Sequence, residues 1–131
     1  MFVTNEDLLA MAAATPELET VVVPAKTGLY MARLVRAVRS EAKDVADAMD
    51  KLVRKYGEDH GHGIFTLTPP SVAGDKPVSE HWDEFVQERG ELLAAESDLD
   101  QKAVILPDST VIPIALLVVF DRFLTVAGTD S

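Results

Sequence analysis

TGLYMARLVRAVRSEAKDVADAMDKLVRKYG, residues 27–57, decides the fold. Its apolar side chains fall at Met31, Val35, Val38, Ala42, Val45, Met49, Leu52 and Tyr56, in steps of four and three that repeat every seven residues. That spacing lines one face of an α-helix and matches the seam of a coiled coil. It predicts a single helix of roughly 30 residues, about 45 Å long. Asp47 with Lys51 and Asp50 with Arg54 stand at i,i+4 in the stabilising acid-before-base order. Lys51, Arg54 and Lys55 crowd the last turn, where cations suit the helix dipole, and Gly57 supplies the stop.

The lead-in to this helix is Val21-Val22-Val23-Pro24. Three β-branched residues, the last before a proline, favour extended backbone and predict a short strand or a stretched connector that orients the helix. Val21, Val22 and Val23 are therefore the strand-pairing candidates, for the chain's own sheet or a neighbour's. Upstream, Thr4 followed by Asn5, Glu6 and Asp7 predicts a capped helix from about Asn5 to Ala14, stopping at Thr15-Pro16, with Thr15 capping one further turn.

Downstream, residues 57–78 are rich in Gly, Pro and His and predict a loop with at most a short strand from Ile64 to Leu67. Ser79 caps a second helix that carries Trp82, Phe85, Val86, Arg89, Leu92 and Leu93 on one face and frays near Ser97-Asp98. Ala103 to Leu106 reads as a strand, with residues 64–67 or the valine run as its partner. The closing stretch VIPIALLVVFDRFLTVAG, residues 111–128, is apolar on nearly every face before Asp121. It is too short to span a bilayer and predicts a helix buried on several sides, in the core or against a partner. The expected whole is one domain over residues 1–131, mainly α with a small β element (α+β). It has a long central helix, hairpin-like helix packing and a short two- or three-stranded sheet.

Composition narrows the function classes. Among 131 residues, 22 are acidic and 12 basic, a formal net charge of -10. That field repels phosphates and anionic lipid, so neither nucleic acid nor membrane is an expected partner. The absence of cysteine excludes disulfides, thiolate nucleophiles and cysteine-held zinc or iron-sulfur clusters. MFVTNEDLLAMAAA has no basic region ahead of an apolar run and does not read as a secretory signal, so the cytosol or an assembled particle is expected.

Chemical candidates are few. Glu58, Asp59, His60 and His62 lie within five positions, and alternate histidines converge on one ion when the backbone is extended. A solvated polar loop accounts for the same residues, and only Glu80 and His81 offer further ligands. No metal or other cofactor is expected, His60 and His62 being the residues that would hold an ion. Arg33, Arg36, Arg39 and Lys43 form a basic stripe away from the seam, suited to phosphates, to an acidic partner or, as a solvated face, to the chain's own surplus carboxylates. Glu80, Asp83, Glu84, Glu88 and Glu91 make an ordinary exposed helix face. Neither GxSxG, nor a Gly-rich phosphate loop, nor HExxH occurs, so no catalytic residue is nominated and the chain reads as non-enzymatic. Met31, Val35, Val38, Val45, Met49 and Leu52 on the seam, with Leu117, Phe120 and Phe123, are the candidate oligomer interface. Packing inside the monomer is the alternative.

Several motifs carry a family likeness. T-N-E-D-L-L opens the first helix, V-P-A-K-x-x-x-Y-x-A-R leads the long one, and K-L-V-R-K-Y-G-E ends it. E-L-L and V-I-L-P-D-S-T-V-I-P-I-A-L-L-V-V-F-D-R-F-L follow. Together they resemble an uncharacterised family of short proteins of tailed bacteriophages and prophages, over most of the chain. The short DHGHG and proline-rich loop departs from the family, whose members often carry a longer charged insertion there. The resemblance implies a structural or assembly gene, whose product binds other copies of itself and other phage particle proteins. The expected location is the virion, in tail, neck or capsid surface, or the host cytoplasm during assembly. The alternative is a non-virion regulatory or host-targeting binding module.

Overall fold

The computed structural model describes residues 1–69 and 80–127. In chain order the elements are β1 (Phe2–Thr4), α1 (Asn5–Leu18), α2 (Ala25–Tyr56), β2 (Glu58–Asp59), β3 (Phe65–Thr66), α3 (Trp82–Ala94), β4 (Glu96–Asp98), β5 (Val104–Leu106), α4 (Ile114–Val119) and β6 (Leu124–Val126). The protein is mainly helical, and its strands form two-stranded sheets among the described residues. Two compact units result: Met1–Ala42 with Glu96–Ser131, and Lys43–Ala95. Ser79, expected to cap a helix, and the loop from residue 70 onward lie outside the described residues.

In the first unit Thr4 caps α1 as its sequence predicts, its hydroxyl accepting the Asp7 amide at 3.1 Å. The helix does not stop at Ala14, however, but runs through Pro16 to Leu18. Proline has no N–H for the Ala12 carbonyl, one turn back. The Thr15 hydroxyl supplies the missing donor at 2.7 Å. Thr15, expected to cap a new turn, instead repairs the old one and is almost wholly buried.

Leu8, Met11 and Leu18 of α1 are fully buried, as are Leu34 and Val38 of α2 and Leu106, Leu116, Phe120 and Phe123 near the C-terminal end. Each contributes roughly 1.5–3 kcal/mol by leaving water. α1 packs against α4. The α2 helix begins at Ala25, two residues earlier than its periodicity predicts, with the Pro24 carbonyl accepting the Gly28 amide at 2.8 Å. Val21, Val22 and Val23 form no strand among the described residues: they are a connector, held at its start by the Val21 amide on the Leu18 carbonyl.

Two strand pairs close this unit. The segment expected to be the frayed end of the second helix is β4, antiparallel to β1, with Phe2 opposite Asp98 and Thr4 opposite Glu96. The Ser97 hydroxyl donates to Asn5 Oδ1 at 2.6 Å, which pins the strand to the start of α1. β5 forms over Val104–Leu106 as predicted, but its partner is neither residues 64–67 nor the valine run. It is β6, in parallel, with Ile105 opposite Thr125.

The closing helix is correspondingly short. α4 has six residues, after which the Phe123 and Leu124 amides both return to the Phe120 carbonyl and turn the chain into β6. Phe120, Phe123 and Leu124 stand at i, i+3 and i+4, so burial at those positions fits a helix and this turn equally well. Arg122 completes the turn by donating to the Phe2 carbonyl at 2.6 Å.

The second unit comprises the C-terminal half of α2, the β2–β3 hairpin and α3. Ile64–Leu67 is predicted to hold a strand, and it does at Phe65–Thr66, paired with Glu58–Asp59. The tip needs left-handed backbone at Gly61, His62 and Gly63, which glycine adopts without steric cost. Gly57 ends α2 for a second reason besides flexibility. A Cβ there would lie 2.5 Å from the Val53 carbonyl oxygen and 3.0 Å from that of Thr66, so a side chain would push β3 away. The predicted Asp50–Arg54 pair forms at 2.9 Å. Lys55 donates to Glu88 at 3.1 Å and joins α2 to α3.

Candidate functional site

The long seam divides in two. Met31, Val35, Val38, Ala42 and Val45 are buried inside the chain, whereas Met49, Leu52 and Tyr56 are half-buried. Of the other interface candidates, Phe120 and Phe123 lie in the core and Leu117 is half-buried. Packing inside the monomer therefore takes up most of the apolar face that the sequence offers for association.

Exposed aliphatic side chains occur in the closing segment, for which the sequence predicts burial in the core or against a partner. Val111 is 89% exposed, Ile114 78% and Val118 68%. Ile114 and Val118 stand one helical turn apart on α4, and Val111 lies in the coil that leads into it. Pro113 starts the helix so that Leu116 and Phe120 point inward, which leaves these three aliphatic side chains in water. In a run apolar on every face, sequence alone carries no signal of which face stays open.

His60 and His62 lie in the β2–β3 hairpin. The His60 ring bonds the Thr66 hydroxyl at 2.6 Å, and His62 holds the left-handed tip of the hairpin. The His81 ring lies 6.1 Å from that of Tyr56 at a tilt of 52° and faces Glu84 at 3.9 Å. Among the described residues no three His, Asp or Glu side chains gather around a common point. No helix among them is long and apolar enough to cross a membrane.

The basic stripe is partly committed. The Arg33 guanidinium sits 5.9 Å from the Tyr30 ring centre. Arg39 donates to the Thr15 hydroxyl at 3.0 Å and pairs with Glu19. Arg36 has no ion pair among the described residues, and it borders a cleft of about 460 Å³. The floor of that cleft is aliphatic, from Leu18, Val21, Val23, Met31 and Val35, and its rim carries Arg36, Arg39 and Glu19. Sequence reasoning singles out the valines and the arginines separately. It misses their meeting, because the turn after Leu18 that folds α1 back along α2 has no signature beyond Glu19-Thr20.

In the second unit, hydrogen bonding to Tyr56 and to Glu88 holds the Lys55 ammonium above its usual proton affinity. The same bond from Lys55 holds the Glu88 carboxyl below the usual carboxylate range. Both groups are solvent-facing, so the pair is a structural tie.

No family model, curated protein or solved structure matches this chain.

Proposed function

We propose that the chain is a small, non-enzymatic structural or assembly protein of a tailed bacteriophage, acting by association with its own copies and with other particle proteins. The observation that carries the association is the aliphatic face of Ile114 and Val118 on α4, with Val111 exposed just ahead of it, each more than two-thirds exposed. Contiguous exposed aliphatic side chains on a soluble surface mark interaction sites more often than scattered single ones do. The phage setting rests on the motif likeness, from T-N-E-D-L-L to the closing F-D-R-F-L. No nucleic acid or membrane enters this reading, in keeping with the net charge of -10.

The test compares the wild type with the double variant Ile114→Asp, Val118→Asp by sedimentation velocity over a concentration series. Both positions are exposed, so the variant keeps its helix content and melting temperature while its association is lost. A wild type that stays monomeric at every concentration, or a variant that associates equally well, refutes the face as the contact. Counting copies of the chain against the major capsid protein in purified particles tests the setting. A fixed ratio makes it a virion component, whereas absence moves the reading to a non-virion regulatory or host-targeting binding module.

A further inference from the structure

We infer that the cleft between the end of α1, the 21–24 connector and the first half of α2 receives an extended strand of a partner polypeptide. That strand places aliphatic side chains at alternate positions on the cleft floor and a carboxylate side chain on Arg36. The inference concerns a different surface from the α4 face and stands whether or not that face associates.

Three features specify the occupant. First, the connector offers unpaired main-chain groups beside the cleft. Val21 and Val23 line the cleft, and Val22 between them is 87% exposed. The main-chain groups of Val22 and Val23 take no hydrogen bond within the chain among the described residues. An added strand pairs with such groups through its main chain and reads the neighbouring pocket with every second side chain.

Second, the floor is aliphatic throughout and its volume, about 460 Å³, suits a few branched side chains. Third, the charge is local and positive although the protein is acidic. Between residues 25 and 43, α2 carries Lys26, Arg33, Arg36, Arg39 and Lys43 against the single acid Glu41. Arg39 is occupied by Thr15 and Glu19, which fixes that wall of the cleft. Arg36 is left to meet a charge from outside, and a planar guanidinium takes a carboxylate through paired hydrogen bonds. A fatty acid would satisfy the floor and Arg36 but would leave the connector's main-chain groups unused. A polypeptide strand engages all three.

The experiment selects twelve-residue peptides from a random display library on the full-length protein, then measures resynthesised peptides by fluorescence anisotropy. Enriched peptides are expected to alternate aliphatic residues and to carry an Asp or Glu in the same register. Arg36→Glu should weaken them by roughly ten- to a hundredfold. Ala32→Trp, at an exposed helical position on the cleft wall, should abolish binding with the fold intact. Methylating the peptide amides that face the connector should abolish binding too, and methylating the alternate set should not. The proposal is overturned if no peptide is enriched, if both variants bind as well as the wild type, or if methylation in either register has no effect. Dodecanoate binding without peptide enrichment would give the cleft to a small amphipathic acid. Self-association abolished by Arg36→Glu would give it to a second copy, and either result also overturns the proposal.

Discussion

Replacing Thr15 with valine probes how α1 carries a proline in its interior. The side chain keeps its branched shape and loses one hydroxyl, which accepts from Arg39 Nε at 3.0 Å and donates to the Ala12 carbonyl at 2.7 Å. The two losses are unequal. The Arg39 side chain is 48% exposed, so water replaces much of its bond. The Ala12 carbonyl is half-buried and has no amide one turn on, because Pro16 stands there. An unsatisfied buried polar group costs about 1–3 kcal/mol, and partial exposure places this one toward the lower end. With the weaker Arg39 contribution, Thr15→Val should cost about 2 kcal/mol in urea unfolding followed by far-ultraviolet circular dichroism, at unchanged denaturant slope. A Pro16→Ala background returns an amide to the Ala12 carbonyl. There the same change should cost about 1 kcal/mol less, a coupling that a double-mutant cycle resolves. A loss below about 0.5 kcal/mol, or equal losses in the two backgrounds, would refute the repair.

Two further outcomes follow from the second unit. Gly57→Ala forces a Cβ against the backbone oxygens of Val53 and Thr66, so it should destabilise the protein by about 1–3 kcal/mol and shift the amide resonances of Glu58 to Thr66. Wild-type stability in that variant would contradict the close approach. The Glu88 carboxyl, held below its ordinary 4.5, adds stability that is complete above that value and fades as pH falls through its lower folded one. The Lys55 ammonium, held above 10.5, adds stability that is complete below that value and is lost as pH climbs past its raised one. The melting-temperature gap between wild type and Glu88→Gln should therefore be open at neutral pH and close in acid. A gap that persists well below pH 4.5 would exclude the Lys55 pairing as its source.

The parts of the fold legible in the sequence were those set by local periodicity and local caps. The α2 seam, the Thr4 cap, the Gly57 stop and the strand at Val104–Leu106 each depend on residues within a turn or two of one another. The errors share a different physics. Pro16 is a helix terminator only if its orphaned carbonyl has no other donor, and Thr15 is equally a cap and a donor until Arg39 arrives from another helix. Glu96–Asp98 is polar and looks like a frayed end, because its pairing with Phe2–Thr4 is set by tertiary structure alone. The closing segment is apolar on nearly every face and so predicts a longer helix than forms, because Phe120, Phe123 and Leu124 are buried whether the chain continues as helix or turns. Of the candidate surfaces, neither the open face of α4 nor the cleft at Arg36 was legible, since both depend on which neighbours fail to cover a side chain.

The discontinuity of the first unit bears on how the chain is made. On the ribosome, α1 is complete at Leu18, but the strand that flanks its start cannot exist until Asp98 has been added. At roughly 5–20 residues per second those intervening residues, about 80 of them, take ~4–16 s to synthesise. For that interval and until the closing helix follows, Leu8 and Met11 of α1 lack α4, the helix that α1 packs against. Glu6, Asp7, Glu17 and Glu19, which contribute little to the finished core, give α1 a negative charge over that period. Residues 43–95 face no such wait: their partners emerge in one uninterrupted run, so they are the part that can fold first.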